Sequence, residues 1–265
     1  MLMLKGGFSS VNIKKYGQCR SKEAIAELFS GFEDTMINSC LHEIMGEIFV
    51  NNQEKAAMAT LGDFVFFAGT PSEELLQFES ILHQNRFRII IPQDQAWSKC
   101  IQQFHGLNAK KVIRYAIKKE RDIFDTEKLT QAVCSCPKEY TLKMIGEREY
   151  SLCKAAPWSR DLVSQFRDYS MYQRLGLGAA VFYHGELVAG ASSYSSFQGG
   201  IEIEIDTRED HRRKGLAYCC AAKLILESLK RGLYPSWDAQ NKWSVGLAEK
   251  LGYHFGHEYI AYEVL

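Results

Sequence analysis

The sequence predicts an α/β protein with mixed sheets, and three observations support this prediction. Short segments alternate apolar and polar residues, as half-buried strands do. Longer segments repeat their apolar residues every three or four positions, as the buried face of a helix does. Glycine and proline separate the two kinds of segment along the 265 residues. Strands and helices are therefore expected to follow one another along the whole chain.

From residue 139 onward the predicted order is strand, two helices, three strands, helix, strand, helix and strand. Pro157 interrupts the first helical segment, because proline lacks a backbone donor. His184-Gly185 is a tight-turn signal between two strands. Gly232 stands where the long helix is expected to end. The predicted segments are 140–145, 147–173, 179–183, 187–191, 201–207, 215–230, 234–238, 241–251 and 257–264.

Residues 1–138 are expected to form an N-terminal α/β domain ahead of a second domain at 139–265. Pro71 and Ser72 indicate the start of a helix, because proline fits the first turn and serine caps it. From Ala56 the predicted order is strand, helix, strand, helix, strand. The clearest N-terminal strands are 48–50, 64–67 and 88–91.

The most informative segment reads Arg-Arg-Lys-Gly-Leu-Ala and lies between a predicted strand and a predicted helix. The first turn of a helix leaves backbone N–H groups unpaired and carries the positive end of the helix dipole. A glycine there lets a ligand approach the backbone closely. The sequence therefore predicts a pyrophosphate site. Its residues are Arg212, Arg213, Lys214, Gly215, Leu216 and Ala217.

A second motif begins about 30 residues later. Asn241 and Ser244 stand at a predicted helix start, Leu247 and Leu251 continue the same helix face, and Gly252 stands where the helix stops. The two motifs, in this order, resemble those of the GNAT superfamily of N-acyltransferases. The acyl-CoA loop of that superfamily reads Gln/Arg-x-x-Gly-x-Gly/Ala.

The resemblance implies a GNAT fold over 139–265, with acetyl-CoA as the acyl donor and no metal. An extended ligand arm can pair with a strand as an added strand does. Asparagine at a helix start is also a cap, and this alternative stays open for the second motif. The implied cofactor contacts are the backbone of Ile205, Asp206 and Thr207 for the pantetheine arm, the loop 212–217 for the pyrophosphate, and Asn241 and Ser244 near the pantetheine.

Two interpretations of residues 1–138 stay open, a degenerate GNAT-like half and an unrelated α/β cap. Trp97-Ser98 echoes Trp243-Ser244 at the corresponding place. The region has no Arg-x-x-Gly-x-Ala segment. We therefore expect it to bind no CoA.

The predicted reaction is attack of an amine on the thioester of an acyl-CoA. An alkylamine has a pKa of ~10.4, so a carboxylate acting as general base would assist at neutral pH. Glu202, Glu204 and Asp206 are expected on one face of their strand, with isoleucines on the other. Their mutual repulsion would raise an apparent pKa. By the resemblance, Glu204 is the first choice for the base and Glu202 the second; a merely solvated polar face is the alternative.

The chain departs from the family pattern at Ala248, where many GNAT enzymes carry a tyrosine that protonates the departing thiolate. A CoA thiol has a pKa close to the ~8.5 of cysteine, so it can leave without an acid. Tyr218 and Tyr253 would substitute only if the geometry allowed it. The general acid therefore stays open.

Composition excludes several other classes. Lys plus Arg equals Asp plus Glu at 32 each, so no global field recruits nucleic acid or an anionic membrane. No apolar run approaches the ~20 residues that span a bilayer, and Met1–Gly7 is too short for a signal peptide. The eight cysteines have neither disulfide-framework nor metal-site spacing. We expect a cytoplasmic protein without a metal.

The leading hypothesis is an acetyl-CoA-dependent N-acetyltransferase that acts on a primary amine of a small molecule. The alternative is a non-catalytic protein that senses acyl-CoA or serves an assembly on a GNAT fold. A homodimer is left open. A basic cluster could suggest a nucleic-acid modifier, but a solvated face explains it better. That cluster comprises Lys110, Lys111, Arg114, Lys118, Lys119 and Arg121.

Overall fold

The computed structural model describes residues 12–265. The N-terminal segment Met1–Gly7 considered above lies outside the described residues. The chain forms two compact units, one ending at Arg114 and including Tyr259–Leu265, the other spanning Tyr115–Glu258. Independent folding of 139–265 stays a prediction.

The first unit contains a sheet in which β4 and β5 are parallel and the other described pairs are antiparallel. The order of its strands is β1-β2-β3-β4-β5-β13. Its strands are β1 (Ile13–Lys15), β2 (Glu47–Asn51), β3 (Ala56–Leu61), β4 (Phe64–Gly69), β5 (Arg88–Pro92) and the end of β13 (Phe255–Val264), and its helices are α1 (Lys22–Leu28), α2 (Thr35–Leu41), α3 (Glu73–Leu82) and α4 (Gln95–His105).

Helices α3 and α4 pack on this sheet and close a core that includes Leu75, Leu76 and Trp97. Ser72 caps α3, as predicted from the sequence. Asp94 caps α4, and Asn241 caps α9 (Lys242–Lys250) in the same way. When the two caps are aligned, Trp97 and Trp243 differ in position by one residue. Trp97 is fully buried whereas the side chain of Trp243 is 90% exposed, so the echo does not mark equivalent positions.

The second unit contains a sheet of order β11-β10-β9-β8-β7, in which only β10 and β11 pair in parallel. A short strand, β12, pairs antiparallel with β6. The strands are β6 (Ala109–Ile117, which begins in the first unit), β7 (Tyr140–Met144), β8 (Gly178–Tyr183), β9 (Glu186–Phe197), β10 (Gly200–Thr207), β11 (Tyr234–Ser236) and β12 (Asp238–Ala239), and the helices are α5 (Thr126–Cys134), α6 (Glu147–Ala155), α7 (Tyr169–Leu175), α8 (Leu216–Lys230) and α9.

The predicted alternation along β10 is present. Ile201 and Ile203 lie in the core that α8 closes. The opposite face of β10 carries Glu202, Glu204 and Asp206. The hairpin before it turns at His184 and Gly185, whose φ angles of 47° and 86° are both positive, as a type I′ turn requires.

The strand predicted at 234–238 is two strands in the structure. β11 ends at Ser236, and Asp238–Ala239 pairs with β6 instead of β10. β10 therefore loses its β11 neighbour beyond Glu202, where the two strands part. This fork positions the candidate site.

Candidate functional site

The site begins at the edge of β10. Its pairing with β9 continues to Thr207, whereas β11 pairs only with Gly200–Glu202. In the part of the chain that the structure describes, no strand occupies the other edge of β10 from Ile203 onward. The predicted backbone contacts Ile205, Asp206 and Thr207 lie on this edge. An extended ligand could pair there as an additional strand.

Helix α8 begins next to this edge. Gly215 is its N-cap residue, with φ of 78°. A Cβ built on Gly215 would meet no atom within 4 Å, so the space above it is open. Arg213 also has a positive φ, 61°, which is uncommon outside glycine. Successive left-handed and right-handed residues turn backbone N–H groups into a concave anion-binding surface.

The N-terminus of α8 differs from those of the other α-helices in residues 12–265. No side chain caps it, and its first turn contains no acidic residue. α6 has acids in its first turn, and each remaining α-helix has a serine, aspartate or asparagine cap. The first N–H groups of α8 thus lack a side-chain cap and are available to bind an anion.

A cavity of about 600 Å³ opens at this helix end. It brings together Thr207, Arg212, Arg213, Gly215, Leu216 and Ala217 from the predicted site. Four further residues were not predicted as ligand contacts: His211, Tyr218, Leu247 and Lys250. Leu247 and Lys250 are three residues apart on α9. This spacing does not predict which other helix the two side chains face. The other predicted site residues do not line the cavity, namely Glu202, Glu204, Ile205, Asp206, Lys214, Asn241 and Ser244.

The basic side chains of the loop are exposed. Arg212 donates from Nε to the carbonyl oxygen of Thr207 at 3.2 Å. This bond ties the loop to the end of β10. Arg212 is therefore partly engaged in holding the loop, while Gly215, Leu216 and Ala217 line the cavity.

The carboxylates of β10 lie on the face that packs toward the 3-10 helix Arg160–Leu162. Asp206 is opposite Gly190 on β9, and a Cβ on Gly190 would come within 2.6 Å of Leu162 Cδ1. Glu204 is half-buried and accepts the backbone N–H of Ile205 at 3.2 Å.

Glu202 is buried between two serines. Ser195 of β9 lies opposite it on one side and Ser236 of β11 on the other. Both serines are 0% exposed. Glu202 therefore lies at the closed end of the fork and Glu204 at its opening.

Burial raises the pKa of Asp206 to about 6, and Asp161 adds to this rise while Arg212 opposes it. The sequence predicted a raised value from repulsion among the three acids of β10. For Asp206 the causes are different, namely burial and a carboxylate from the 3-10 helix.

Asn241 and Ser244 both have structural partners. Asn241 Oδ1 accepts the N–H of Ser244 at 3.0 Å, which caps α9. Ser244 Oγ accepts the indole N–H of Trp237 at 3.1 Å. The capping alternative is present in the structure, and the predicted pantetheine contacts stay a prediction.

A sequence model of the family described as GNAT acetyltransferase matches residues 26–262. The match covers well over half of the chain and includes both motifs described above. The chain belongs to the GNAT acetyltransferase family. The enzyme class expected from the sequence, an acyl-CoA-dependent acyltransferase, is the class of this family.

Known relatives agree with this assignment. A GCN5-related N-acetyltransferase-like protein from Streptococcus suis is 42% identical, with a TM-score of 0.88 over 92% of this chain and 98% of that one. The uncharacterized N-acetyltransferase YdfB from Bacillus subtilis is 34% identical over 128 residues. That alignment covers 48% of this chain and 49% of YdfB, so the chain spans about half the length of this curated relative.

A tandem GNAT protein from the clavulanic acid biosynthesis pathway shares the fold, with a TM-score of 0.57 and 12% identity over 96% of this chain and 97% of that one. The predicted fold class, α/β with mixed sheets and a GNAT fold, is confirmed. The two interpretations of residues 1–138, a degenerate GNAT-like half and an unrelated cap, both stay open.

Ala248 stands where the resemblance implied a tyrosine. Ala248 is fully buried. Tyr253 is also buried and donates its hydroxyl to the carbonyl of Pro235 at 2.7 Å. Tyr218 lines the cavity in the first turn of α8. The general acid stays open.

No group of three or more His, Cys, Asp or Glu residues within 12–265 is arranged to hold a metal ion. No helix in the same residues is long and apolar enough to cross a membrane. All eight cysteines are free thiols.

Proposed function

We propose that this chain transfers an acetyl group from acetyl-CoA to a primary amine of a small molecule. The observation that supports it most directly is the uncapped start of α8 at a cavity, beside an edge of β10 that pairs with no strand of residues 12–265 beyond Glu202. A ligand with a pyrophosphate and an extended amide-containing arm matches both features. Acyl-CoA has these two parts in sequence.

The pyrophosphate would bind the backbone N–H groups of Gly215, Leu216 and Ala217, where the helix dipole favours negative charge. The pantetheine amides would pair with the backbone of Ile205–Thr207. This places the thioester toward the fork between β10 and β11. Arg213 and Lys214, both exposed, would add long-range attraction for the phosphates.

Glu204 is the proposed general base, with Glu202 as the second candidate. Neutralising an alkylamine at pH 7 costs about 4.6 kcal/mol, and a positioned base recovers part of this. Glu204 is half-buried at the opening of the fork, so an amine that approaches the thioester could reach it. Glu202 is 5% exposed at the closed end and would act only through an intermediate group.

The acetylated amine forms directly when the neutral nitrogen attacks the thioester carbonyl and CoA leaves as a thiolate. The thiolate is a good leaving group because its conjugate acid has a pKa near ~8.5. An acidic face suits a cationic acceptor. The name of YdfB, an N-acetyltransferase, supports nitrogen as the atom that is acetylated.

The remaining proposals concern setting and partners. A cytoplasmic location is supported by eight free cysteines, which persist in a reducing compartment. The first unit would bind no CoA, because its sequence lacks the Arg-x-x-Gly-x-Ala loop. The acceptor would be a small molecule and not a nucleic acid or membrane. Arg114 of the basic cluster is 7% exposed and stacks on Phe64, so it does not belong to a solvated basic surface.

The experiment that tests the function is release of free CoA thiol from acetyl-CoA in the presence of a panel of primary amines. Release that depends on one class of amine supports the transferase. Acetyl-CoA binding without release by any amine would favour the alternative, a non-catalytic acyl-CoA sensor or assembly protein.

A further inference from the structure

His211 lies at the end of the short turn that leads from β10 into the α8 loop. It lines the cavity at the start of α8, yet only 5% of the residue is exposed. Its Nδ1 is hydrogen-bonded to the hydroxyl of Tyr140 at 3.0 Å. The ring also packs edge-on against Tyr140 and is tilted on Tyr183. A nearly buried imidazole is thus held in one orientation from the strands β7 and β8.

Within residues 12–265, the other ring nitrogen has no hydrogen-bond partner. Nε2 lies 3.6 Å from Asp210 Oδ2, which is too long for a hydrogen bond. Asp210 is instead held by Arg208, with Nε at 2.8 Å and Nη2 at 3.1 Å. Arg208 in turn bonds Glu186 at 2.9 Å. These contacts hold the residues that directly precede His211.

The Tyr140 hydroxyl can donate to Nδ1 or accept from it, depending on the tautomer of His211. Burial lowers the pKa of His211, and Lys214 and Arg208 act in the same direction, while Asp210 and Glu186 oppose them. The ring is therefore neutral near pH 7. When Nδ1 of a neutral imidazole accepts the tyrosine O–H, the ring proton is on Nε2. That N–H would then be available to a ligand in the cavity, because Asp210 Oδ2 is too far away to accept it.

We propose that His211 donates a hydrogen bond from Nε2 to a pyrophosphate oxygen of bound acyl-CoA, and that Tyr140 is the positioning residue that holds the ring for it. This inference rests on the proposed acyl-CoA site. It adds a side-chain contact to a cradle otherwise formed by backbone N–H groups.

The proposed contact determines how the affinity for CoA depends on pH. A bound phosphate raises the pKa of a nearby histidine. Affinity for CoA therefore increases as the pH falls through the pKa of the bound state, and the increase is complete below the lower pKa of the free state. Tighter binding in acid is the signature of this contact.

Isothermal titration of CoA into the full-length protein at pH 7.5 and pH 6 tests the proposal. His211→Phe removes a charge-assisted hydrogen bond and should weaken CoA binding about tenfold or more. His211→Gln retains an N–H at a similar reach, so it should keep most of the affinity at pH 7.5 but lose part of the tightening at pH 6. Dephospho-CoA lacks only the 3′-phosphate. The ratio of its dissociation constants for His211→Phe and the wild type should equal the ratio measured with CoA.

Tyr140→Phe should weaken CoA binding in the wild-type background but not in His211→Phe, because the tyrosine acts only through the ring. The matched control is His184→Asn. His184 packs on Tyr183 in the same aromatic group but is exposed and does not line the cavity, so its variant should bind CoA like the wild type at both pH values.

Two results would overturn the inference while leaving the proposed function intact. One is wild-type CoA affinity and pH dependence in a folded His211→Phe and His211→Gln. The other is a penalty with CoA that is absent with dephospho-CoA, which would move the contact to the 3′-phosphate. Failure of the wild type to bind CoA at all would instead overturn both this inference and the acyl-CoA site.

Discussion

Glu202 lies opposite Ser236 in the last pair that joins β10 to β11. Beyond this pair, β11 ends and the chain turns to β12, so Glu204 lies on the same face of β10 with no β11 residue beside it. Two carboxylates two residues apart therefore have different surroundings, one enclosed by serines and one at an opening. The distinction in burial, and not the residue type, separates their proposed roles.

Acetyl-CoA should raise the melting temperature of the protein, because a ligand selective for the native state stabilises it. Gly215→Glu should abolish this shift, since it places a negative side chain where the pyrophosphate would bind. Thermal unfolding with millimolar acetyl-CoA measures both effects.

The control for this variant is Gly199→Glu. Gly199 also has a positive φ and open space around a built Cβ, so it carries the same backbone strain, but it does not line the cavity. It should keep the full acetyl-CoA shift. A shift that survives in folded Gly215→Glu would show that the loop is not the binding site.

A second prediction concerns a buried charge pair in the first unit. Glu79 is 0% exposed and lies 2.6 Å from Arg88 Nε, with His83 and His105 near its oxygens. Glu79→Ala would leave the Arg88 charge buried without its partner, which costs about 3–5 kcal/mol of unfolding free energy. Urea unfolding measures the loss.

Lys110 and Glu263 provide the comparison for that pair. They are 2.9 Å apart, but the lysine side chain is 74% exposed. Lys110→Ala should therefore change the unfolding free energy by less than about 1 kcal/mol. Equal effects of the two substitutions would contradict the role given to burial.

The parts of the site that depend on local sequence were predictable. The alternation of Glu202, Ile203 and Glu204 determines which side chains share a face, because strand geometry repeats every two residues. Gly215 between a strand and a helix indicated the loop that precedes α8 for a similarly local reason; its anion-binding role stays a prediction.

Contacts that depend on distant residues were not predictable. Tyr140 bonds His211 from 71 positions away, and Asp161 affects Asp206 from another element. From the sequence, β3 could not be recognised as a strand separate from β4. Its six residues are all buried, so apolar and polar residues do not alternate along it. The end of β11 at Ser236 depends on the pairing of Asp238 with β6, which no local pattern encodes.

The raised pKa of Asp206 predicts that the free energy of unfolding depends on pH. Its pKa of about 6 in the folded protein exceeds the ~3.9 of an unfolded aspartate, so the unfolded state releases the proton first. The folded state is therefore favoured at low pH, and this contribution is lost as the pH rises from about 4 through 6. Asp206→Asn should raise the unfolding free energy at pH 7.5 by about 2 kcal/mol and have little effect at pH 4.

Asp161→Asn should act in the same direction but less, because it removes the second cause of the raised pKa and leaves burial in place. Urea unfolding of the three proteins at both pH values makes the comparison. Stabilisation that is equal at pH 4 and pH 7.5 would mean that ionisation of Asp206 is not its source.

Glu204→Gln tests the proposed base. If Glu204 accepts the amine proton, the variant should keep acetyl-CoA binding and lower kcat/KM by about 10²- to 10⁴-fold. Glu202→Gln is the internal control and should be milder, because Glu202 is buried between Ser195 and Ser236 at the closed end of the fork. The measurements are kcat/KM against pH and a separate acetyl-CoA affinity.

The pH profile adds a second criterion. The acids of β10 influence one another, so any acidic limb belongs to the group as a whole and not to one residue. Asp206→Asn identifies its share of that limb. An inactive Glu202→Gln beside an active Glu204→Gln would move the base to the closed end of the fork. If both variants remain fully active, the amine loses its proton elsewhere, and the site contributes acyl-CoA binding and proximity alone.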